Sequence, residues 1–261
     1  MDLNTVTEVI SPAGPGAWRP GDAWLGGGTA LFGEPRPDVR RLLDLTAAGW
    51  PAITFHGDIE HGGGDIEIAA TCTVAELNER LGKHAIVRQC CHAFLASFKI
   101  WNVATVGGNL CAALPAGPMI SLSVALGGTL LLIGPDGTER RVPAAEFVTG
   151  EGTTVLRDGE LLRSIHLPAA ALTARTAYRR GSLHRHGRSA ALLIGRVDAE
   201  GIALTVTAST RRPYVLRFPP GSEDLVAAIP AGEYVDDVHG RPVWRQHLTR
   251  HYAAQILAEL S

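Results

Sequence analysis

The stretch Trp24-Leu25-Gly26-Gly27-Gly28-Thr29-Ala30-Leu31 and a later one, Ala104-Thr105-Val106-Gly107-Gly108-Asn109-Leu110, decide how this chain is interpreted. Each has an apolar lead-in, adjacent glycines and a small polar residue after them. Glycine adopts positive φ and allows close backbone approach, so such turns present N–H groups that suit a pyrophosphate. A single turn of this kind is weak evidence, because most are only tight loops. Two of them, with Thr and Asn beside the glycines, favour a nucleotide-binding function.

The sequence around the first stretch predicts two strands, at residues 23–25 and 41–45, that pair in parallel. The Gly- and His-rich residues 56–64 are typical of a surface turn between two lobes. Residues 65–70 alternate as a strand does. Thr73, with Glu76 three residues later, then predicts a capped helix through Leu81.

Further along the chain, residues 92–98 are predicted to be a helix that ends before the second glycine turn. Residues 119–126 are apolar enough for a buried helix. Pro135-Asp136-Gly137 predicts a hairpin between two strands, and Pro168 ends a strand at 161–167. The predicted segments after residue 173 are two antiparallel strands and a closing helix, at 190–197, 202–208 and 242–260. In that helix Trp244, Leu248, Tyr252, Ile256 and Leu260 recur every four residues and predict one apolar face.

Composition excludes several classes of function. A formal net charge of −2 provides no general attraction to nucleic acid or to an anionic membrane. No apolar stretch reaches the length of a membrane span, and the polar N-terminus does not resemble a signal peptide, so we expect a cytoplasmic protein. Cys72, Cys90, Cys91 and Cys111 contain no Cys-x-x-Cys pair, which argues against a metal centre here and for buried thiols. His184-Arg185-His186 lacks a third ligand nearby and is interpreted as a solvated loop.

The two glycine stretches together resemble the FAD-binding subunit or middle domain of molybdenum hydroxylases, such as xanthine dehydrogenase and carbon monoxide dehydrogenase. That family has a Gly-Gly-Thr turn near its start and a Thr-[Ile/Val]-Gly-Gly-Asn turn later. The resemblance continues through 68–77, through Glu160-Leu161-Leu162-Arg163-Ser164-Ile165-His166-Leu167-Pro168, and through Trp244-Arg245-Gln246-His247-Leu248.

The resemblance implies an α+β fold with two domains. A two-lobed PCMH-type FAD-binding domain is expected over residues 1–172, with lobes at about 1–56 and 65–170. A small C-terminal domain, an antiparallel sheet plus a helix, is expected over 173–261.

The same resemblance implies the residues that bind FAD. The first turn contributes Leu25, Gly26, Gly27, Gly28, Thr29, Ala30 and Leu31, and the second contributes Thr105, Gly107, Gly108 and Asn109. Leu95 and Leu162 match positions near the cofactor. Arg180 stands where relatives often have a Lys beside the flavin, with Arg179 as its competitor. The chain departs from the family at Pro118, where relatives usually have an Asp that binds polar atoms of the flavin.

The implied function is electron transfer. Substrate would be oxidised at molybdopterin in a large partner subunit, and electrons would pass through [2Fe–2S] clusters in a small partner subunit to FAD in this chain. The assembly would be a dimer of heterotrimers, and we expect no catalytic acid or base here. Three alternatives stay open: a free-standing flavin oxidoreductase, a scaffold subunit without FAD, and a plain nucleotide-binding module. Substrate and electron acceptor (NAD, quinone, oxygen or a carrier protein) are not determined by this sequence.

Overall fold

The computed structural model describes residues 3–33, 35–58, 63–218 and 225–261. Parts of the predicted surface turn at 56–64, and residues 219–224 of the predicted C-terminal domain, lie outside these ranges. The strands are β1 Glu8–Ile10, β2 Asp22–Leu25, β3 Arg41–Asp44, β4 Ile53–His56, β5 Asp65–Ala69, β6 Thr129–Ile133, β7 Glu139–Pro143, β8 Val148–Gly150, β9 Thr153–Thr154, β10 Leu161–Pro168, β11 Thr176–Gly181, β12 Ala191–Asp198, β13 Gly201–Thr207 and β14 Tyr214–Phe218. The α-helices are α1 Val74–Leu81, α2 Ala85–Ala93, α3 Phe98–Trp101, α4 Val106–Cys111, α5 Pro118–Ala125, α6 Ala144–Phe147, α7 Ala169–Thr173 and α8 Pro242–Leu260.

The first lobe is built on a three-stranded parallel sheet in the order β1-β3-β2. The predicted parallel pairing of β2 with β3 is confirmed, whereas β1 was missed because its three residues precede a run of Pro and Gly. The indole N–H of Trp24 donates to the Gly159 carbonyl at 3.0 Å. This bond ties the first lobe to the second just before β10.

The second lobe is an antiparallel sheet in the order β4-β5-β10-β6-β7, whose apolar face packs on helices. Ile66, Ile165 and Leu130 from the sheet share one core with Leu77 of α1 and Leu122 of α5. The predicted capping box at the start of α1 is confirmed, and so are the hairpin between β6 and β7 and the buried helix α5.

The predicted helix at 92–98 is wrong. Helix α2 ends at Ala93, residues 94–97 are not helical, and α3 begins after Ser97, whose hydroxyl accepts from the Ile100 N–H at 3.4 Å. The Trp101 indole N–H donates to the Phe94 carbonyl at 3.0 Å, which stabilises the break. The Ser97 cap and the hydrogen bond from Trp101 to Phe94 therefore interrupt the helix that the apolar pattern of residues 92–98 predicts.

The C-terminal part is an antiparallel sheet in the order β11-β12-β13-β14, covered by α8. The predicted bounds of α8 are confirmed, but its predicted apolar face is only partly right. The residues it buries are Arg245, Thr249, Ala253, Ile256 and Leu260. Arg245 can be buried on this face because its guanidinium donates to the carbonyls of Ala190 and Ala208 at 2.8 and 2.6 Å.

Together these layers confirm the α+β fold with a C-terminal sheet and helix; the domain boundary near residue 172 stays a prediction. Among the described residues, no helix combines the length and apolarity needed to cross a bilayer. Cys72, Cys90 and Cys91 are buried as expected, but Cys111 is exposed, which corrects the prediction for that residue. Burial raises the pKa of the Cys72 thiol to about 12, so this thiol remains protonated at neutral pH.

Candidate functional site

The first glycine stretch forms an open loop at the end of β2. The backbone N–H groups of residues 26–30 donate to no acceptor in the described parts of the chain. The Phe32 and Gly33 N–H groups close the loop onto the carbonyls of Gly28 and Ala30, at 2.9 and 3.0 Å. Gly28 is left-handed, with φ 71°. A row of free donors, the first three of them on glycines without a Cβ, is the kind of surface that binds an anion.

The second glycine stretch is a helix rather than the predicted turn. Thr105 is the N-cap of α4, and its hydroxyl oxygen accepts from the Gly108 N–H at 3.0 Å. The N–H groups of Val106 and Gly107 donate to the carbonyls of Cys72 and Ala70, at 2.8 and 3.0 Å. These backbone donors are therefore used inside the protein. What remains for a ligand is the side chains of the stretch, of which Thr105 is itself buried at 4% exposure and Asn109 is half-buried.

Asn109 has a divided role. Its side-chain oxygen accepts from the Met119 N–H at 3.0 Å, in the first turn of α5. With that orientation, the amide nitrogen of half-buried Asn109 is available as a donor. Pro118 is the first residue of α5 and is buried. The position where relatives usually have Asp thus serves here as a helix start, with Asn109 accepting from that helix.

The two stretches lie against each other because their glycines lack side chains. A Cβ on Gly27 would overlap the Val103 carbonyl oxygen, and one on Gly26 would lie 2.9 Å from the Thr105 hydroxyl oxygen. On the far side, a Cβ on Gly107 would lie 2.8 Å from the Ala70 Cα. The glycines therefore permit a close backbone contact that places the free N–H row beside Thr105. Sequence reasoning missed Val103 and Ala70, which have no motif of their own.

Leu95 lies on a groove between the two predicted domains. Its side chain is 42% exposed in the non-helical link between α2 and α3. The groove has a volume of about 450 Å³ and is lined by His92, Phe94, Leu95, Ala96, Ser97, Trp101 and His186. The rings of His92 and Trp101 are in contact, with centroids 5.4 Å apart. Of these residues, only Leu95 was predicted. The dense apolar and aromatic composition of residues 94–103 is the sequence signal that could have indicated Phe94 and Trp101, whereas His186 has no such signal.

Arg180 and Arg179 point to opposite sides of β11, as neighbours on a strand do. Arg179 contacts α8, donating to Gln255 at 2.8 Å and pairing with Glu259 at 2.7 Å. Arg180 donates to the Ser189 hydroxyl at 2.7 Å and to the Gly187 carbonyl. It thereby holds the loop that brings His186 to the groove. A direct contact of Arg180 with a flavin stays a prediction.

Leu162 stands apart from the other predicted site residues. Its side chain is buried in the core on β10, at 3% exposure. The next residue, Arg163, lies at an irregularity of β10, and its carbonyl accepts from the Ala70 N–H at 3.0 Å. Leu162 therefore lies behind the second glycine stretch and offers a ligand little surface. Its contact with a cofactor stays a prediction.

Comparisons with known proteins identify the family of this chain. The sequence profile of a family described as "FAD binding domain in molybdopterin dehydrogenase" matches residues 25–170, more than half of the chain, beginning at the last residue of β2. Xanthine dehydrogenase of Oryza sativa subsp. japonica is 33% identical over 114 residues, 40% of this chain and 8% of that protein. Caffeine dehydrogenase subunit beta of Pseudomonas sp. (strain CBB1) is 33% identical over 108 residues, 40% of this chain and 36% of that protein.

The chain thus aligns with only a minor part of these relatives' length. Among solved structures, a chain of quinoline 2-oxidoreductase from Pseudomonas putida 86 superimposes with a TM-score of 0.79 at 20% identity. That match covers 100% of this chain and 98% of the other. At this identity the similarity concerns the fold.

Proposed function

Because this chain belongs to the family of FAD-binding domains in molybdopterin dehydrogenases, we propose that it is the electron-transferring FAD subunit of a heteromeric molybdenum-cofactor hydroxylase. In this proposal a small partner subunit contains [2Fe–2S] clusters and a large one contains molybdopterin. Two such heterotrimers pair, and the complex works in the cytoplasm. FAD supplies the redox chemistry, and this chain binds and orients it before electrons leave to an external acceptor.

One observation supports the proposal most directly: the row of free N–H groups at residues 26–30 lies beside Thr105. A diphosphate needs several donors at once and close backbone approach, and the three glycines at residues 26–28 leave the first donors of the row without a Cβ beside them. Half-buried Asn109 adds an amide donor on the adjoining helix, and Thr105 is buried beside the loop. The groove at Leu95 provides apolar and aromatic surface for a planar ring.

The experiment is co-expression of this chain with the genes that flank its own, followed by size-exclusion chromatography. We expect one peak well above 27.6 kDa that contains flavin, iron and molybdenum and that absorbs in the visible region. A colourless monomer after reconstitution with excess FAD would support the scaffold alternative instead.

A second function is favoured by one observation. His92 and His186 both line the groove, so an imidazole that could donate a proton is available there. A free-standing flavin oxidoreductase needs such a donor. This alternative predicts that the isolated, FAD-loaded chain turns over a substrate with NADH or a quinone, and that His92→Gln or His186→Gln slows turnover without loss of flavin. An isolated chain that does no such chemistry favours the subunit role.

A further inference from the structure

The outer face of α8 contains a pair of histidines that the proposed function does not use. His247 and His251 are one helical turn apart, and both side chains are exposed. Their rings are nearly parallel, at 5°, with centroids 6.2 Å apart. Residues four apart on an α-helix are neighbours on one face, so the two imidazoles can reach a common point above the helix.

A chain of polar contacts selects the tautomer of His251. Glu259 pairs with Arg179 at 2.7 Å, and the Arg179 Nε–H donates to the Gln255 side-chain oxygen at 2.8 Å. With its oxygen used in this way, Gln255 turns its amide nitrogen to His251 and donates to Nε2 at 3.0 Å. Nε2 of His251 therefore accepts this bond with its lone pair, and the ring proton is on Nδ1. A lone pair on imidazole nitrogen is what a transition metal binds.

We propose that His247 and His251 form a surface site for a divalent transition metal of the Zn²⁺, Ni²⁺ and Cu²⁺ class. Both imidazoles coordinate the ion, and water completes its coordination. Neutral nitrogen ligands without a carboxylate select these ions and not Ca²⁺ or Mg²⁺. Because both rings are exposed, they can turn from the stacked arrangement until both nitrogens lie at about 2.0–2.1 Å from one ion. His251 then exchanges its contact with Gln255 for the metal.

The site is independent of the FAD proposal. Helix α8 covers the side of β11 to which Arg179 points, whereas Arg180, on the other side, holds the loop at the groove. The metal would therefore lie across the C-terminal sheet from the groove. Loss of metal binding should leave flavin content unchanged, so failure of one proposal does not imply failure of the other.

The test is titration of the full chain, without an affinity tag, with CuCl₂ or ZnSO₄, followed by calorimetry. Copper bound at the site is also observed by electron paramagnetic resonance, which detects coupling to two imidazole nitrogens. We expect one site in the native chain. In His247→Ala and in His251→Ala the affinity should fall by about tenfold or more, because the second ligand acts at high effective concentration. Zn²⁺ should raise the thermal midpoint of the native chain and of neither variant.

Two further variants serve as controls. His184→Ala removes an exposed histidine outside α8 and should leave binding as in the native chain. Gln255→Ala removes the competitor for His251 and should retain binding or tighten it. Native affinity in both the His247 and the His251 variants would overturn the proposal. So would loss of binding in Gln255→Ala, because Gln255 would then be a ligand. Circular dichroism checks that each variant is folded.

Discussion

At the scale of single residues, the candidate site depends on what its glycines lack. A side chain at residue 27 would overlap the backbone of residue 103. Gly28 is the one residue of the described loop with a positive φ. A substituent at residue 27 therefore acts first on the contact between the two glycine stretches, before any crowding of a ligand.

We predict that Gly27→Ala lowers flavin retention and destabilises the protein by about 1–3 kcal/mol, because the Val103 carbonyl must move. Flavin content after purification and urea unfolding measure the two effects. Gly33→Ala is the matched control: it lies just after the same loop, and a Cβ there meets nothing within 4 Å. Normal flavin content in Gly27→Ala would contradict the role assigned to this contact.

The burial of Arg245 also depends on the groups that surround its side chain. The side chain is 1% exposed and donates to the carbonyls of Gly240, Ala190 and Ala208, as well as to Asp237. Ala208 has a φ of 63°, which is costly for a residue with a Cβ, and the bond from Arg245 to its carbonyl helps to hold this conformation.

Replacing Arg245 by Met keeps much of the volume but leaves these acceptors without their donor. We expect the free energy of unfolding to fall by about 3–5 kcal/mol. Arg250→Met, at an exposed position of the same helix, should change it by less than about 0.5 kcal/mol. Equal unfolding midpoints for the two variants would show that Arg245 is not needed for stability.

At the scale of elements, the loop between β11 and β12 links the C-terminal sheet to the groove. Ala190 N–H donates to the Gly181 carbonyl at 2.8 Å at the loop's base, and Arg180 holds its far part through Gly187 and Ser189. The loop has no other strong contact with β11 in the described chain, so its position depends on this guanidinium.

We predict that Arg180→Ala accelerates amide hydrogen exchange in residues 182–189 by about tenfold, because two hydrogen bonds are lost. Arg179→Ala should affect the last turns of α8 instead, since Arg179 contacts Gln255 and Glu259. If flavin is bound as proposed, Arg180→Ala should also lower its reduction potential. Unchanged exchange in the loop would contradict the positioning role.

At the scale of the whole molecule, buried or half-buried ion pairs join separate elements. Arg140 on β7 pairs with Glu160 before β10 at 2.6 Å, and Arg41 on β3 pairs with Asp22 on β2 at 2.5 Å. The Arg140 guanidinium holds the pKa of the Glu160 carboxyl below its usual range, and Arg41 does the same for Asp22. A carboxyl with a lowered pKa in the folded state stabilises the protein above its unfolded pKa and loses that effect as pH falls through the folded one.

We therefore expect the contribution of these two pairs to stability to be constant from neutral pH to about pH 5 and to fall below about pH 4.5. Glu160→Gln should cost about 1–3 kcal/mol at neutral pH and progressively less in acid, where the native carboxyl is protonated. Urea unfolding at neutral pH and at about pH 3 measures the difference. Glu146→Gln, at an exposed acid with no ion pair among the described residues, is the control. A cost for Glu160→Gln that does not shrink in acid would rule out the charged pair as its cause.

The sequence by itself determined the family, the α+β class and the local elements that have their own signals. The capping box at Thr73, the hairpin at residues 135–137 and the Pro-initiated α8 follow from backbone chemistry within a few residues. The open loop at residues 26–30 was predicted for the same reason. Glycine preference, caps and turn residues act locally, so a sequence can display them.

Only the tertiary structure decided how the site is assembled. That the second stretch is a helix with its backbone donors used follows from the carbonyls of Ala70 and Cys72, which lie far from it in sequence. That Arg179 contacts α8 while Arg180 holds the groove loop follows from which face of β11 each occupies. The burial of Arg245 follows from carbonyls just before β12 and just after β13. These are contacts between residues that are far apart in sequence. A sequence shows that a residue can donate a hydrogen bond, but it does not show which distant acceptor the fold will bring to it.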